Sequence, residues 1–194
     1  MYDAEAIVNV DIWTVGHSTL LADDFIALLH AHGIQALADV RRYPGSRRHP
    51  QFNANDLALA LERAGIVYAS MPELGGRRRP RRDSQNTVWR SESFRGYADY
   101  METAAFAQAL ARLTAAASGR RTAIMCAEAL WWQCHRQMIS DALKAQGIRV
   151  LHIVDQATVS EHPFTSAARI VDGRLRYGHG ADSLHALWET QDRG

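Results

Sequence analysis

Lysine is almost missing from this chain. Of the 22 basic residues, 21 are Arg and only Lys144 is Lys. Cysteine is as scarce: Cys126 and Cys134 are the whole complement, too few for a disulfide scaffold. They read as thiols rather than a bridge. No apolar run approaches the roughly 18 residues of a membrane-crossing helix, so no membrane partner is expected. Met1 to Val10 holds Asp3 and Glu5 but no basic residue, unlike the start of a secretory leader. The chain reads as cytoplasmic. A large net charge is missing too. The 22 basic and 21 acidic residues leave +1, which excludes a uniformly basic nucleic-acid coat or an acidic tail protein. No fixed-period repeat is present.

What is there suits a folded domain. Hydrophobic residues make up 47% of 194 positions, enough for a core and too many for a disordered chain. The length fits one domain over 1–194. The small net charge hides an uneven distribution. Twelve Arg but five acids lie between Arg41 and Arg95, so that window is +7 and the remainder is −6. GC-rich codons are an ordinary source of Arg in place of Lys, but they do not explain the clustering. Arg forks hold phosphate and carboxylate bidentately, so the cluster is a candidate anion site.

Apolar runs alternate with helical patterns. Strands are expected at the latter part of Ile7 to Val15, and at Ile34 to Val40, Ile66 to Ser70, Thr122 to Cys126 and Ile148 to Val154. Helices are expected at Ala22 to His32, Asn55 to Ala64 (Asn55 as N-cap), Phe94 to Tyr100, Thr103 to Ala117 and Gln133 to Gln146. Gly33, Gly65, Gly119 and Gly147 serve as stops. A hairpin is expected over Ala168 to Tyr177, around Asp172-Gly173. This order predicts a single α/β domain: a largely parallel sheet with helices on both faces, three-layered and Rossmann-like. Ligands of such folds bind beyond the carboxyl ends of the strands. Gly16-His17-Ser18-Thr19, Asp39-Val40-Arg41-Arg42, Glu73-Leu74-Gly75-Gly76 and Cys126-Ala127-Glu128 each follow a predicted strand. They should meet at one edge.

Cys126 to Arg136 is the most specific segment. A thiol near a helix N-terminus and several Arg has a lowered pKa and becomes a better nucleophile. That makes Cys126 the candidate nucleophile, with Glu128 and His135 as acid/base candidates. Cys126 as a small buried strand-end residue is the alternative, and Cys134 reads as packing on a helix. Arg41, Arg95 and Arg136 are the expected anion contacts, with His17 and Ser18 at the floor where a phosphate-binding turn would sit. A Cys-based phosphatase loop has its Arg closer to the Cys than Arg136 is to Cys126. Cys126, Cys134, His135 and His17 could serve as zinc ligands, though the gap between the cysteines is unusual for zinc. The segment from Gly75 to Ser93 reads as a long polar loop, and Arg77 to Arg82 within it as a basic lid, a nucleic-acid clamp or a solvated run. Trp89, Phe94, Tyr97 and Tyr100 could stack bases or pack inward.

Taken together, Gly16-His17-Ser18-Thr19, Asp39 to Arg47, Pro72-Glu73-Leu74-Gly75-Gly76, Phe94 to Met101 and Cys126-Ala127-Glu128 with Cys134-His135-Arg136 resemble an uncharacterised bacterial family, domain of unknown function number 488. The likeness runs from about Trp13 to Tyr177, leaving 178–194 as an extension. That family commonly places Pro after the Cys-Ala-Glu segment, where Leu130-Trp131-Trp132 stands here. The resemblance implies an α/β domain and supplies neither a reaction nor a cofactor. The expected function is an enzyme with an Arg-rich pocket for a phosphate or nucleotide-like anion and a reactive thiol. The rivals are a nucleic-acid-binding module and a metal-binding domain.

Overall fold

A six-stranded sheet forms the middle layer of the computed structural model, which describes residues 10–178. Its strands are β1 (Asp11–Gly16), β2 (Ala36–Asp39), β3 (Val67–Ser70), β4 (Thr122–Cys126), β5 (Arg149–Ile153) and β6 (Val159–Glu161). They lie in the order β3-β2-β4-β1-β5-β6. The first five are parallel, and β6 runs antiparallel to β5. The helices are α1 (Ala22–Ala31), α2 (Ala54–Arg63), α3 (Glu92–Met101), α4 (Ala104–Ala117) and α5 (Arg136–Ala145). The hairpin of β7 (Ala168–Val171) and β8 (Arg174–Tyr177) stands as a separate two-stranded sheet.

The layers follow from strand order. β1 to β2 to β3 proceeds in one direction along the sheet, and right-handed crossovers put α1 and α2 on one face. The chain then turns back: β4 inserts between β2 and β1, and β5 lies beyond β1. The same handedness puts α3, α4 and α5 on the other face. The core divides accordingly. Phe25, Leu29, Leu57 and Leu61 pack with Leu37, Ala123 and Met125 on the first side. Tyr97, Phe106, Leu110, Leu113, Met138 and Ile139 pack with Ile12, Ala38 and Ile124 on the second. This is the expected three-layer α/β arrangement.

Three local expectations change. Asn53, not Asn55, is the N-cap residue of α2, and its side chain accepts the Ser46 N–H at 2.7 Å. α5 begins at Arg136, because Trp131–Gln133 forms a 3-10 turn and Cys134 is extended (φ −139°, ψ 172°). β6 went unread in the sequence. Only five residues separate it from β5, too few for a crossover, so the chain must reverse. Asp155 Oδ1 makes that turn by accepting the Ala157 and Thr158 N–H groups, each at 2.8 Å. The β7–β8 hairpin turns at Asp172 (φ 50°) and Gly173 (φ 71°), the left-handed pair that matches strand twist. The first residues of Ile7 to Val15 and the segment Asp182 to Gly194 lie outside the described residues.

Candidate functional site

Register alone brings four of the motifs together. Gly16 pairs with Cys126, and Asp39 pairs with both Met125 and Ser70. The ends of β1, β4, β2 and β3 therefore line up at one carboxyl edge, where the chain's change of direction opens a crevice. Backbones pack closely there. A Cβ on Gly16 would collide with the Glu128 carbonyl, and one on Gly75 would stand 2.6 Å from the Arg42 nitrogen. Close approach, not turn conformation, explains both glycines.

A cavity of about 320 Å³ opens at this edge, lined among others by Arg41, Arg42, Arg77, Cys126, Glu128, Cys134 and His135. Cys126, Glu128, His135 and Arg41 thus line one cavity. His17, Ser18, Arg95 and Arg136 do not line it. Two of these stand directly behind the wall. His17 accepts from Arg41 Nη1 at 3.3 Å, and its Nδ1 donates to the Ser18 carbonyl at 2.9 Å. Arg136 lies beneath the two sulfurs and is 1% exposed. Arg95 sits on α3 and reaches Glu92 at 3.8 Å.

The expected phosphate turn is otherwise engaged. The His17 N–H donates to the Cys126 carbonyl and the Ser18 N–H to the Ala127 carbonyl, each at 3.0 Å. The β1–β4 pairing simply continues past the strand ends and uses the amides an anion would need.

The two sulfurs form the centre of the site. Cys126 Sγ and Cys134 Sγ are 3.1 Å apart, and both cysteines are free thiols. Arg136 Nε donates to both, at 3.0 Å to Cys126 and 3.3 Å to Cys134. Its Nη1 donates to Thr14 Oγ1 at 3.3 Å, and its Nη2 to the carbonyls of Glu128 and Ala129. The Arg136 guanidinium therefore serves the thiols and the loop that carries them, rather than facing into the cavity.

The pair titrates unequally. Burial pushes the Cys126 thiol well up, as does its hydrogen bond with Cys134, while Arg136 pulls it down. Burial also opposes ionisation of Cys134, but the hydrogen bond from Cys126 and the charge of Arg136 outweigh it and hold Cys134 at about 6. Cys134 stands two residues before the start of α5, and the Arg136 backbone N–H also donates to its sulfur at 3.4 Å. A helix N-terminus favours a thiolate. Cys126 likewise accepts a backbone N–H, from Glu128 at 3.3 Å, so donors surround both sulfurs. Burial and the hydrogen bond between them tip the charge to Cys134, with Cys126 as its proton-bearing neighbour. Cys134 is not a residue of the α5 helix.

His135 donates from its Nε2 to the Val40 carbonyl at 3.0 Å. Burial lowers its pKa to about 4, so it is neutral at neutral pH. Burial and Arg41 bring His17 to about 4 as well. Neither ring titrates near neutrality.

Arg41 is anchored by a buried fork. Its Nε donates to Asp39 Oδ1 at 2.8 Å and its Nη2 to Asp39 Oδ2 at 2.6 Å. Asp39 also accepts the Tyr68 hydroxyl at 2.8 Å.

Sequence reasoning missed a buried chain behind Arg136. Thr14 Oγ1 lies 2.7 Å from His152 Nδ1, His152 Nε2 lies 2.9 Å from His162 Nδ1, and His162 Nε2 lies 3.0 Å from Asp141 Oδ1. All four residues are at most 1% exposed. With Asp141 ionised and one N–H on each ring, every bond donates in one direction, from Arg136 to Asp141. Burial, His162 and Arg136 drop His152 to about 3. Trp131 stacks on the His152 ring at 4.2 Å. The available signal was polarity within apolar segments: His152 inside a strand and Asp141 on a helix face.

The Arg-rich segment is tied down at α3. The buried Asp99 carboxylate accepts from the Arg81 N–H (2.8 Å), the Ser84 hydroxyl (2.6 Å) and the Asn86 amide (2.8 Å). Burial works against its charge, but these donors hold its pKa below the ordinary value. Arg78 covers the Tyr100 ring at 3.7 Å. Tyr97 is 1% exposed, and Trp89 packs on Phe94 and Tyr177. Of the rings that could stack bases or pack inward, Tyr97 is buried and Trp89, Phe94 and Tyr100 are half-buried against neighbouring rings, while Phe94 and Tyr97 also line the cavity. Among the described residues, no group of three or more His, Cys, Asp or Glu has metal-holding geometry, and no helix is long and apolar enough to cross a membrane.

Fold and site together define a Rossmann-like α/β domain with a dithiol set in a basic crevice at its carboxyl edge. The chain belongs to the family described as domain of unknown function DUF488, which matches residues 21–143. That span covers the thiol segment but is shorter than the likeness of the motifs, since it omits Gly16 to Thr19. No curated protein and no solved structure matches the chain.

Proposed function

We propose that the chain is an enzyme that holds a small anionic ligand, phosphate- or nucleotide-like, against a reactive thiol. One observation carries this reading: both cysteines line one cavity with Arg41, Arg42 and Arg77. Arg41 keeps N–H groups beyond those its Asp39 fork uses, and Arg77 is exposed at the mouth. These three belong to the +7 window, and they focus positive potential where an anion enters. The buried charge of Arg136 supports a thiolate from behind. Cys134 acts as the nucleophile and Cys126 as its hydrogen-bonding partner. Glu128, on the cavity wall, exchanges the proton. His135 is a neutral wall and His17 with Ser18 backs Arg41. Arg95, directed to Glu92, lies outside this ligand set. The proposed setting is the cytoplasm, where thiols remain reduced.

Protection against alkylation tests this reading. Inorganic phosphate and a nucleoside monophosphate are titrated, separately, against the rate of thiol alkylation by iodoacetamide. Saturable slowing is expected, and Arg42→Ala and Arg77→Ala should each weaken it several-fold. An alkylation rate unchanged by either anion, relative to chloride at equal ionic strength, overturns the proposal.

A further inference from the structure

We propose that Cys134 and Cys126 are the attacking and resolving thiols of a two-electron redox couple that reduces a hydroperoxide. The proposal rests on the preceding reading only in taking Cys134 as the reactive sulfur of the cavity.

Geometry is the first support. The sulfurs are 3.1 Å apart, and a disulfide requires about 2.05 Å, so closure needs roughly 1 Å of approach. The segment between them can supply it: residues 127–133 form no regular helix or strand beyond one 3-10 turn. Asymmetry is the second. Both sulfurs accept Arg136 Nε and one backbone N–H, Cys134 from Arg136 and Cys126 from Glu128. But Cys134 lies beside the start of α5 and is 6% exposed, whereas Cys126 sits on the strand end, 2% exposed, with its S–H in reach of the Glu128 carbonyl at 3.7 Å. Efficient attack needs a thiolate, and efficient resolution needs a protonated thiol beside it. The third support is Arg136. Its Nε reaches both sulfurs, so one buried cation follows negative charge as it moves between them. Closing the disulfide removes the negative partner of that cation, which favours the dithiol and makes the couple oxidising. A hydroperoxide is a strong enough oxidant to close such a couple.

The chemistry balances. The Cys134 thiolate attacks the terminal peroxide oxygen; an S–O bond forms, the O–O bond breaks, and the alkoxide leaves and takes a proton to become an alcohol, or water from hydrogen peroxide. Cys126 then attacks Cys134 Sγ. The S–S bond forms, the S–O bond breaks, and hydroxide leaves with the Cys126 proton as water. One peroxide is reduced and two thiols are oxidised. A dithiol reverses the oxidation by exchange.

Hydrogen peroxide added to the reduced full-length chain tests this. Two thiols should be lost per peroxide consumed, with a mass loss of two hydrogens, a Cys126–Cys134 cross-link on peptide mapping, and full reversal by dithiothreitol. Cys126→Ser should stop at a sulfenic acid on Cys134 that dimedone traps. Cys134→Ser should react at least about tenfold more slowly. Oxygen addition to the wild-type chain without a cross-link overturns the proposal, as does a Cys134→Ser variant that reacts at the wild-type rate. Peptide mapping of the wild type decides even where a variant does not fold. Phosphate protection without cross-linking would sink the redox couple alone; cross-linking without protection would sink the anion reading alone.

Discussion

Replacing Cys126 with Ala should raise the pKa of Cys134, and the size of the effect follows from the thiol pair. Cys134 is held at about 6, against an ordinary thiol near 8.5. At neutral pH that means about 90% thiolate instead of about 3%, roughly a thirtyfold gain. A less basic sulfur is also a weaker nucleophile. With a Brønsted coefficient of about 0.45, the same shift costs roughly tenfold in intrinsic reactivity. The net advantage at neutral pH is therefore only about twofold, growing to about tenfold near pH 6. The midpoint of the rate–pH curve is the informative quantity. Wild-type alkylation by iodoacetamide should titrate near pH 6. Cys126→Ala removes the hydrogen bond that contributes most to the lowering, so the midpoint should move up, toward about 8.5. A wild-type midpoint above about 8 would refute the reasoning. So would a low midpoint that persists in Cys134→Ser, because the activated sulfur would then be Cys126.

Two further outcomes concern stability. His17, His135 and His152 have folded pKa values of about 4, about 4 and about 3, below the unfolded value of about 6.5. The unfolded chain therefore binds more protons as pH falls. Their contribution is complete above about pH 6.5 and is lost toward about pH 4, at up to about 1.4 kcal/mol per pH unit for each ring. Cys134, also lowered, acts in the same direction at higher pH, while the raised Cys126 favours the folded state below its unfolded pKa. Urea midpoints should therefore drop sharply between neutral pH and about pH 5, and a flat profile would contradict the buried neutral rings. Asp39→Asn leaves the Arg41 charge, 9% exposed, without its carboxylate. A loss of about 3–5 kcal/mol in urea unfolding is expected; less than about 1 kcal/mol would mean that Arg41 finds another partner.

Much of this protein is local in origin. Apolar runs, helical spacing and glycine stops report on neighbouring residues, so β1 to β5, the five helices and the Asp172-Gly173 hairpin are legible in the sequence. The parallel sheet followed from the alternation, and the meeting of four motifs at one edge followed from the parallel sheet. The sequence could therefore place Cys126, Glu128, His135 and Arg41 at one edge. Tertiary structure decided what each can do there. The insertion of β4 between β2 and β1 brings Arg136 against Thr14, 122 positions away, and sets His152 behind it. The helix start at Arg136, rather than three residues earlier, releases Cys134 from α5 and turns its sulfur to Cys126. Pattern cannot show these relations. Periodicity reports which face is buried, whereas the ionisation of a buried thiol depends on charges and donors a few ångströms away, contributed by strands that are distant in sequence.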